Sequence, residues 1–323
     1  MNSTAIQPAA ASSAQLAILG GAAEKAEEYA RASKAANTAA ALRSGWAAFS
    51  SWCARAGSPA LPAAPETVAL YLSAHGAALK LSTLRLRAWA IGAAHRSRGL
   101  TDPTKTDAVR MVLAGVARTE GSAPTRKTAA TVDVLRTMVD TLPASLIGTR
   151  DRALLLVGFA GAFRRSELVG LRHEDVRFTR EGLVVRLRRS KTDQAGEGVD
   201  VAIPYGSHPE TCPVRALMAW IEDSGLTAGL LFRSVTRHGK TGDGLSGEAV
   251  AQIVKRTAAA AGQDAATFSG HSLRAGFATT AARNEVPEHR IMRQTRHRSR
   301  AMLDVYVREG SLFRGNAAAS VGL

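Results

Sequence analysis

Residues 153–160 read Ala153-Leu154-Leu155-Leu156-Val157-Gly158-Phe159-Ala160, and just beyond them the chain turns basic, as Phe163-Arg164-Arg165-Ser166-Glu167-Leu168. The first run is apolar on every side, which predicts a buried helix over 150–161. A pair of arginines then follows the core-forming segment directly. An arginine near a helix start can present its planar fork to two phosphate oxygens. Neighbouring helical residues point about 100° apart, so only one of the pair can face inward. Arg165 competes for that role. The Ser166-Glu167-Leu168 anchor favours Arg164, because Glu167 lies three residues on, shares its face and can orient the fork.

Working outward, three more segments carry chemistry. His271-Ser272-Leu273-Arg274 follows Gly270 and places an imidazole and a guanidinium three residues apart on one helical face. His297 stands in Arg296-His297-Arg298-Ser299, and Tyr306 comes nine residues later in Leu303-Asp304-Val305-Tyr306. A tyrosine hydroxyl has an unperturbed pKa near ~10 and is a weak nucleophile until activated; surrounding cations favour its phenolate. Lys191 sits in the polar stretch 190–198, where a loop lysine can donate a proton to a leaving oxygen. Each piece alone is ordinary for a helix start, a loop or a core rim. Together they are the parts needed to hold a phosphodiester and attack it without a metal.

The bulk composition agrees. The chain has 323 residues with 42 Lys+Arg against 27 Asp+Glu, a formal charge of +15. Such a surplus favours polyanions through counterion release. It is spread out: residues 1–121 carry 13 basic against 7 acidic side chains, and 122–323 carry 29 against 20. Both parts are therefore suited to gripping a nucleic acid. No apolar run approaches the length of a membrane span, and residues 1–20 lack the basic start of a secretory signal. Cys53 and Cys212 lie far apart without metal-ligand spacing and read as core thiols of a reducing cytoplasm.

The length suggests two domains. Residues 1–20 are Ala/Ser-rich and read as a disordered leader. Helices are expected over 22–35, 37–56, from Pro65, over 82–98 with Ser82 as N-cap and Gly99 as stop, and over 107–118. Together they form an all-helical domain over 21–119. Residues 120–129 are polar, contain Gly and Pro, and read as a linker. From 130 to 323 the pattern is mixed. Helices are expected over 131–142, 150–161, 212–223, 247–261, 272–283, 287–295 and 300–308. Residues 176–178, 183–187 and 199–203 read as a small antiparallel sheet. The segment 313–323 is Ala-rich and reads as a short docking helix.

The ordered set Arg164, Lys191, His271, Arg274, His297, Tyr306 resembles that of the tyrosine recombinase, or phage integrase, family. Glu167 matches the polar partner that the family carries after its first arginine. The resemblance covers nearly the whole chain. It implies a mainly α fold with a small antiparallel sheet: an N-terminal helical, SAM-like core-binding domain and an α+β catalytic domain. It implies that Tyr306 attacks the scissile phosphate, forming a 3′-phosphotyrosine and a free 5′-hydroxyl, with Lys191 as general acid. Arg164 and Arg274 would stabilise the non-bridging oxygens, His271 would assist proton transfer, and His297 would donate a hydrogen bond to the phosphate. No cofactor, metal or ATP is implied. The implied partners are double-stranded DNA with inverted-repeat sites and three further copies in a synaptic tetramer. The 313–323 tail would dock on the next protomer. The implied setting is the cytoplasm of a bacterial or phage system, at the nucleoid. Arg85, Arg87 and Arg96 are the expected DNA contacts of the first domain, and Lys255 and Arg256 those of the second. Two rivals share parts of this pattern: a type IB topoisomerase-like relaxing enzyme and a non-catalytic DNA-binding protein of the same fold.

Overall fold

The computed structural model describes residues 36–122, 126–188, 198–297 and 299–310, with the isolated helical positions Ala22, Lys25, Glu28 and Tyr29. The expected leader 1–20, most of the 22–35 helix, Lys191 with its loop, and the 313–323 tail lie outside the described residues. The chain divides into two compact units, Met1–Pro124 and Thr125–Leu323. Among the described residues, no helix is long and apolar enough to cross a membrane.

The first unit is helical: α1 (Ala36–Arg55), α2 (Pro65–Ala74), α3 (Leu81–Arg96) and α4 (Asp107–Thr119). Pro65 starts α2 because its missing N–H and fixed φ suit a first turn, and Glu66 complements the helix dipole there. The inward faces of Phe49, Cys53, Val68, Tyr71, Leu72, Leu84, Ile91 and Val109 form one core. His95 is fully buried but satisfied. Its Nε2 accepts from the Ala63 N–H at 2.9 Å, and its Nδ1 meets the Ile91 carbonyl at 2.8 Å. The cap of α3 differs from expectation: Lys80 holds the N-cap position and Ser82 lies inside the first turn.

In the second unit, α5 (Val132–Asp140) and α6 (Leu146–Ala160) precede the short α7 (Arg165–Gly170). Helix α6 is buried along its length, as its all-round apolar pattern demands. It begins at Leu146, four residues before the expected start, and carries the buried Arg150–Asp151 pair on its inner face. Strands β1 (Val176–Phe178), β2 (Gly182–Leu187) and β3 (Val199–Pro204) form the antiparallel sheet, with Val176 opposite Val185 and Leu183 opposite Ile203. A second hairpin, β4 (Arg233–Val235) and β5 (Thr241–Gly244), was not expected. Its strands are short and partly exposed, and β5 carries two glycines, so they lack the alternation that marks a strand.

Helices α8 (Pro213–Ser224), α9 (Gly247–Ala260), α10 (Ser272–Arg283), α11 (Glu288–Thr295) and α12 (Arg300–Gly310) complete the unit. Helix α10 is held by the incoming chain. Ala130 donates to the Ser272 carbonyl at 2.9 Å and Val132 to Thr280 Oγ1 at 3.1 Å. Gly276 makes this approach possible, since a Cβ there would overlap the Ala130 carbonyl. Helix α12 docks on α10 through a small alanine-rich cluster around Leu303 and Ile291.

Two glycines test this packing. Gly276→Ala is expected to destabilise the protein by about 1–3 kcal/mol in urea unfolding, the usual cost of forcing atoms into a filled core. Gly115→Ala, in α4 with open space around it, is expected to gain up to ~1 kcal/mol from reduced backbone freedom. A tolerated alanine at 276 would contradict the close packing of residues 130–132 on α10.

Candidate active site

The turn after α6 is where the site begins. Gly161 closes the helix, and Ala162 adopts a left-handed backbone with φ 45°. Its carbonyl therefore points back into the protein and accepts from Arg274 Nη1 at 2.8 Å and from Arg296 Nη2 at 2.9 Å. Phe163 is buried, and Arg164 is the N-cap of α7.

Arg164 and Arg165 turn to different partners. Arg164 turns inward, its side chain 19% exposed, with Nη1 at 2.5 Å from Glu167 Oε1. Its backbone N–H donates to Glu167 Oε2 at 2.9 Å, half of a capping box. Arg165 turns outward toward Glu248 of α9. Glu167 is almost fully buried and also receives Arg296 Nη2 at 3.0 Å. Burial alone would raise its carboxyl, but the Arg296 and Arg164 charges, with the Arg164 backbone donor, hold it below the usual carboxylate range.

Arg274 lies one turn into α10 and is 1% exposed. One of its donors serves Ala162, while Nη2 is buried without a partner among the described residues. Burial, with Arg164 and Arg296 nearby, pushes its guanidinium down to about 9. A buried polar group left unpaired is uncommon and calls for an explanation.

His271 caps α10 at the surface, and its Nε2 lies 2.8 Å from the Tyr306 hydroxyl. Desolvation, then the Arg274 and Arg164 charges, push this imidazole below its ordinary value. The His297 ring stacks on the Tyr306 ring with centroids 6.0 Å apart. Desolvation and the same arginines push His297 to about 4. Its Nδ1 lies 2.9 Å from Thr295 Oγ1, which is also 2.7 Å from the Ile291 carbonyl. The hydroxyl has one proton, and the carbonyl can only accept it. Thr295 therefore accepts Nδ1–H, and Nε2 of the neutral ring is left as an acceptor.

Arg164, Glu167, His271, Arg274, His297 and Tyr306 thus share one neighbourhood, drawn from α7, α10, the α11–α12 corner and α12. Lys191 lies outside the described residues. Arg296 was passed over in the sequence, where it reads as one cation in a basic run. The available signal was a helix stop without glycine: Arg296 itself takes the left-handed C-cap position of α11, with φ 56°.

The residues expected to contact DNA differ in their surroundings. Arg85 is exposed on α3. Arg87 donates to the Tyr71 hydroxyl at 2.8 Å and lies over its ring, and Arg96 is paired with Asp102. Lys255 is half-buried on α9, and Arg256 is paired with the buried Asp151. Among the described residues, no group of three or more His, Cys, Asp or Glu is placed to hold a metal ion.

A model of the phage integrase family matches residues 129–311. The chain is 40% identical over 298 residues to the integrase/recombinase xerD homolog of Selenomonas ruminantium, covering 91% of this chain and 87% of that protein. It is 28% identical over 272 residues to the recombinase cre of Escherichia phage P1, covering 76% of each. Its fold is similar to that of the XerH site-specific recombinase, solved bound to a palindromic difH substrate. That match has a TM-score of 0.57 and 19% identity over 80% of this chain and 72% of the other. The chain belongs to the phage integrase family, the tyrosine-type site-specific recombinases.

Proposed function

We propose that this protein cuts and rejoins DNA at specific sites through a covalent link to Tyr306. The observation that carries the reading is Arg274: a buried cation with an unpaired donor, beside a tyrosine hydroxyl already engaged by His271. A phosphate oxygen supplies the missing acceptor and the missing negative charge together.

In this reading the Tyr306 oxygen attacks phosphorus in line, and the bond from phosphorus to the 5′-oxygen breaks. The tyrosine proton passes to Nε2 of neutral His271. The leaving 5′-oxygen takes a proton from Lys191. Attack by a 5′-hydroxyl of another strand then reverses each step and restores the backbone. The phosphate bond energy is kept in the phosphotyrosine, so the exchange needs no ATP. Arg164 and Arg274 stabilise charge that builds on the non-bridging oxygens, a type of contact worth about 3–4 kcal/mol in rate. His297 donates to the phosphate once its Nε2 is protonated, which the phosphate charge favours against burial and the arginine charges.

The first unit would act as a DNA grip, with Arg85 as its exposed cation and Arg87 and Arg96 engaging phosphate by exchanging their present partners. Lys255 and Arg256 would serve the second unit in the same way, as backbone rather than base contacts. The solved XerH relative is bound to a palindromic substrate, and a lambda integrase relative is a tetramer on a Holliday junction. By analogy the sites are inverted repeats and the working assembly is a tetramer, linked by the 313–323 tail. Such an enzyme works on the nucleoid in the cytoplasm.

Three measurements check this. First, a pool of nicked suicide duplexes with randomised sequence is offered to the wild-type protein, and covalently captured DNA is enriched. Wild type should become attached through a 3′-phosphate and Tyr306→Phe should not; attachment that survives Tyr306→Phe would sink the assignment. Arg274→Ala should slow attachment on the enriched duplex by roughly 100- to 1,000-fold. Second, attachment should persist in EDTA, and a strict Mg²⁺ requirement would contradict cation catalysis by protein side chains. Third, NMR titration of the DNA-free protein should place His271 below its ordinary value of 6.5 and His297 at about 4. Both rings should thus be neutral at pH 7, as a proton acceptor at His271 requires. Ordinary midpoints for both would mean that neither burial nor the arginine charges act on these rings as the geometry implies.

A further inference from the structure

Arg296 is the one arginine of the cluster whose terminal N–H groups are all directed at the protein. Its Nη1 donates to the Gly161 carbonyl at 2.9 Å and to the Gln294 carbonyl at 2.7 Å. Its Nη2 donates to the Ala162 carbonyl at 2.9 Å and to Glu167 Oε2 at 3.0 Å. A guanidinium has four terminal N–H groups, and all four are taken. Nε is buried without a partner among the described residues, and the guanidinium lies over the Phe163 ring, 5.2 Å from its centroid. No terminal donor is left for a phosphate. Arg274 is the opposite case, with one nitrogen bonded to Ala162 and the other open.

The backbone adds a second, independent observation. Among the described residues, positive φ at non-glycine positions occurs at Ala162, Glu285 and Arg296. Two of these three are bonded to each other, through the Ala162 carbonyl and Arg296 Nη2. Left-handed backbone is disfavoured wherever a Cβ is present, and such positions persist only where surrounding structure fixes them. Here the two turns fix one another. The turn at 162 leads directly into Arg164, and the turn at 296 leads directly into His297. The carbonyl that joins them also holds Arg274.

We infer that Arg296 is a positioning residue that locks the Arg164–Glu167 turn, Arg274 and the His297 corner into one register. It touches neither the phosphate nor Tyr306. It acts through Ala162 and Glu167, and its length is needed because the four acceptors come from both sides of the site. This rests on the recombinase reading, and the experiment separates the two.

Arg296→Gly removes the clamp while supplying the residue best suited to left-handed backbone. On the enriched nicked duplex, its affinity for DNA should stay within about threefold of wild type, while attachment at saturating protein should slow by at least ~50-fold. Arg296→Lys keeps the charge, but one ammonium cannot span four acceptors. It should bind DNA normally and recover only part of the rate, remaining at least ~10-fold below wild type. If Arg296→Gly does not fold, Arg296→Lys carries the test alone. Wild-type attachment rates in a folded variant would overturn the inference, as would a loss confined to DNA affinity. If Tyr306→Phe is inert while Arg296→Gly runs at full rate, only the positioning role fails. If Tyr306→Phe still attaches, the recombinase reading itself fails.

Discussion

A buried surplus of positive charge is the constraint around which the second unit is arranged. Arg164, Arg274 and Arg296 meet around one carboxylate, Glu167, and one carbonyl, Ala162. Taking cations out of water costs several kcal/mol each unless partners replace the lost hydration. Glu167 and the backbone oxygens of 161 and 162 replace much of it for Arg164 and Arg296, and less for Arg274. Burial, with Arg164 and Arg296 nearby, pushes the Arg274 guanidinium down to about 9, so its charged form is the least compensated of the three. In the proposed reaction a phosphate oxygen supplies that compensation. Desolvation first, and then the same arginine charges, push both imidazoles below their ordinary value.

The scaffold explains how residues far apart in sequence come to share this field. Helix α6 is locked in the core and ends at the Ala162 turn, so the first arginine is placed by the most buried element of the unit. Helix α10 brings His271 and Arg274 because Gly276 lets residues 130–132 run against it. Helix α12 has a lighter anchor, with Leu303 as its fully buried side chain against the alanines of α10. Tyr306 therefore rides on a helix whose described residues reach the core chiefly through Leu303, whereas Arg274 is set in the deep core.

Much of this was legible in the sequence, for definite reasons. Helices with strong apolar periodicity, such as the one carrying Phe49 and Cys53, begin and end within a residue of expectation. The three-stranded sheet appears where β-branched residues cluster. The β4–β5 hairpin was illegible because Thr241-Gly242-Asp243-Gly244 has no apolar face to read. Helical spacing predicts which side chains share a face, and it brought His271 with Arg274 and Arg164 with Glu167. It cannot see backbone handedness at a helix end, so Arg296 was passed over. The Ser166-Glu167-Leu168 anchor favours Arg164 over Arg165 from sequence alone; what spacing could not show is Glu248, eighty-three residues beyond Arg165, toward which that side chain turns.

The account stands or falls on which atom becomes attached to DNA. After covalent capture of a nicked duplex, nuclease and trypsin digestion should leave a nucleotide on a single peptide, and mass spectrometry reads where. Trypsin releases residues 301–308, a peptide whose only tyrosine is Tyr306. The nucleotide mass should lie on that peptide, with fragment ions placing it at Tyr306. A nucleotide on any other peptide would contradict the assignment of the cradle and of the tyrosine it surrounds.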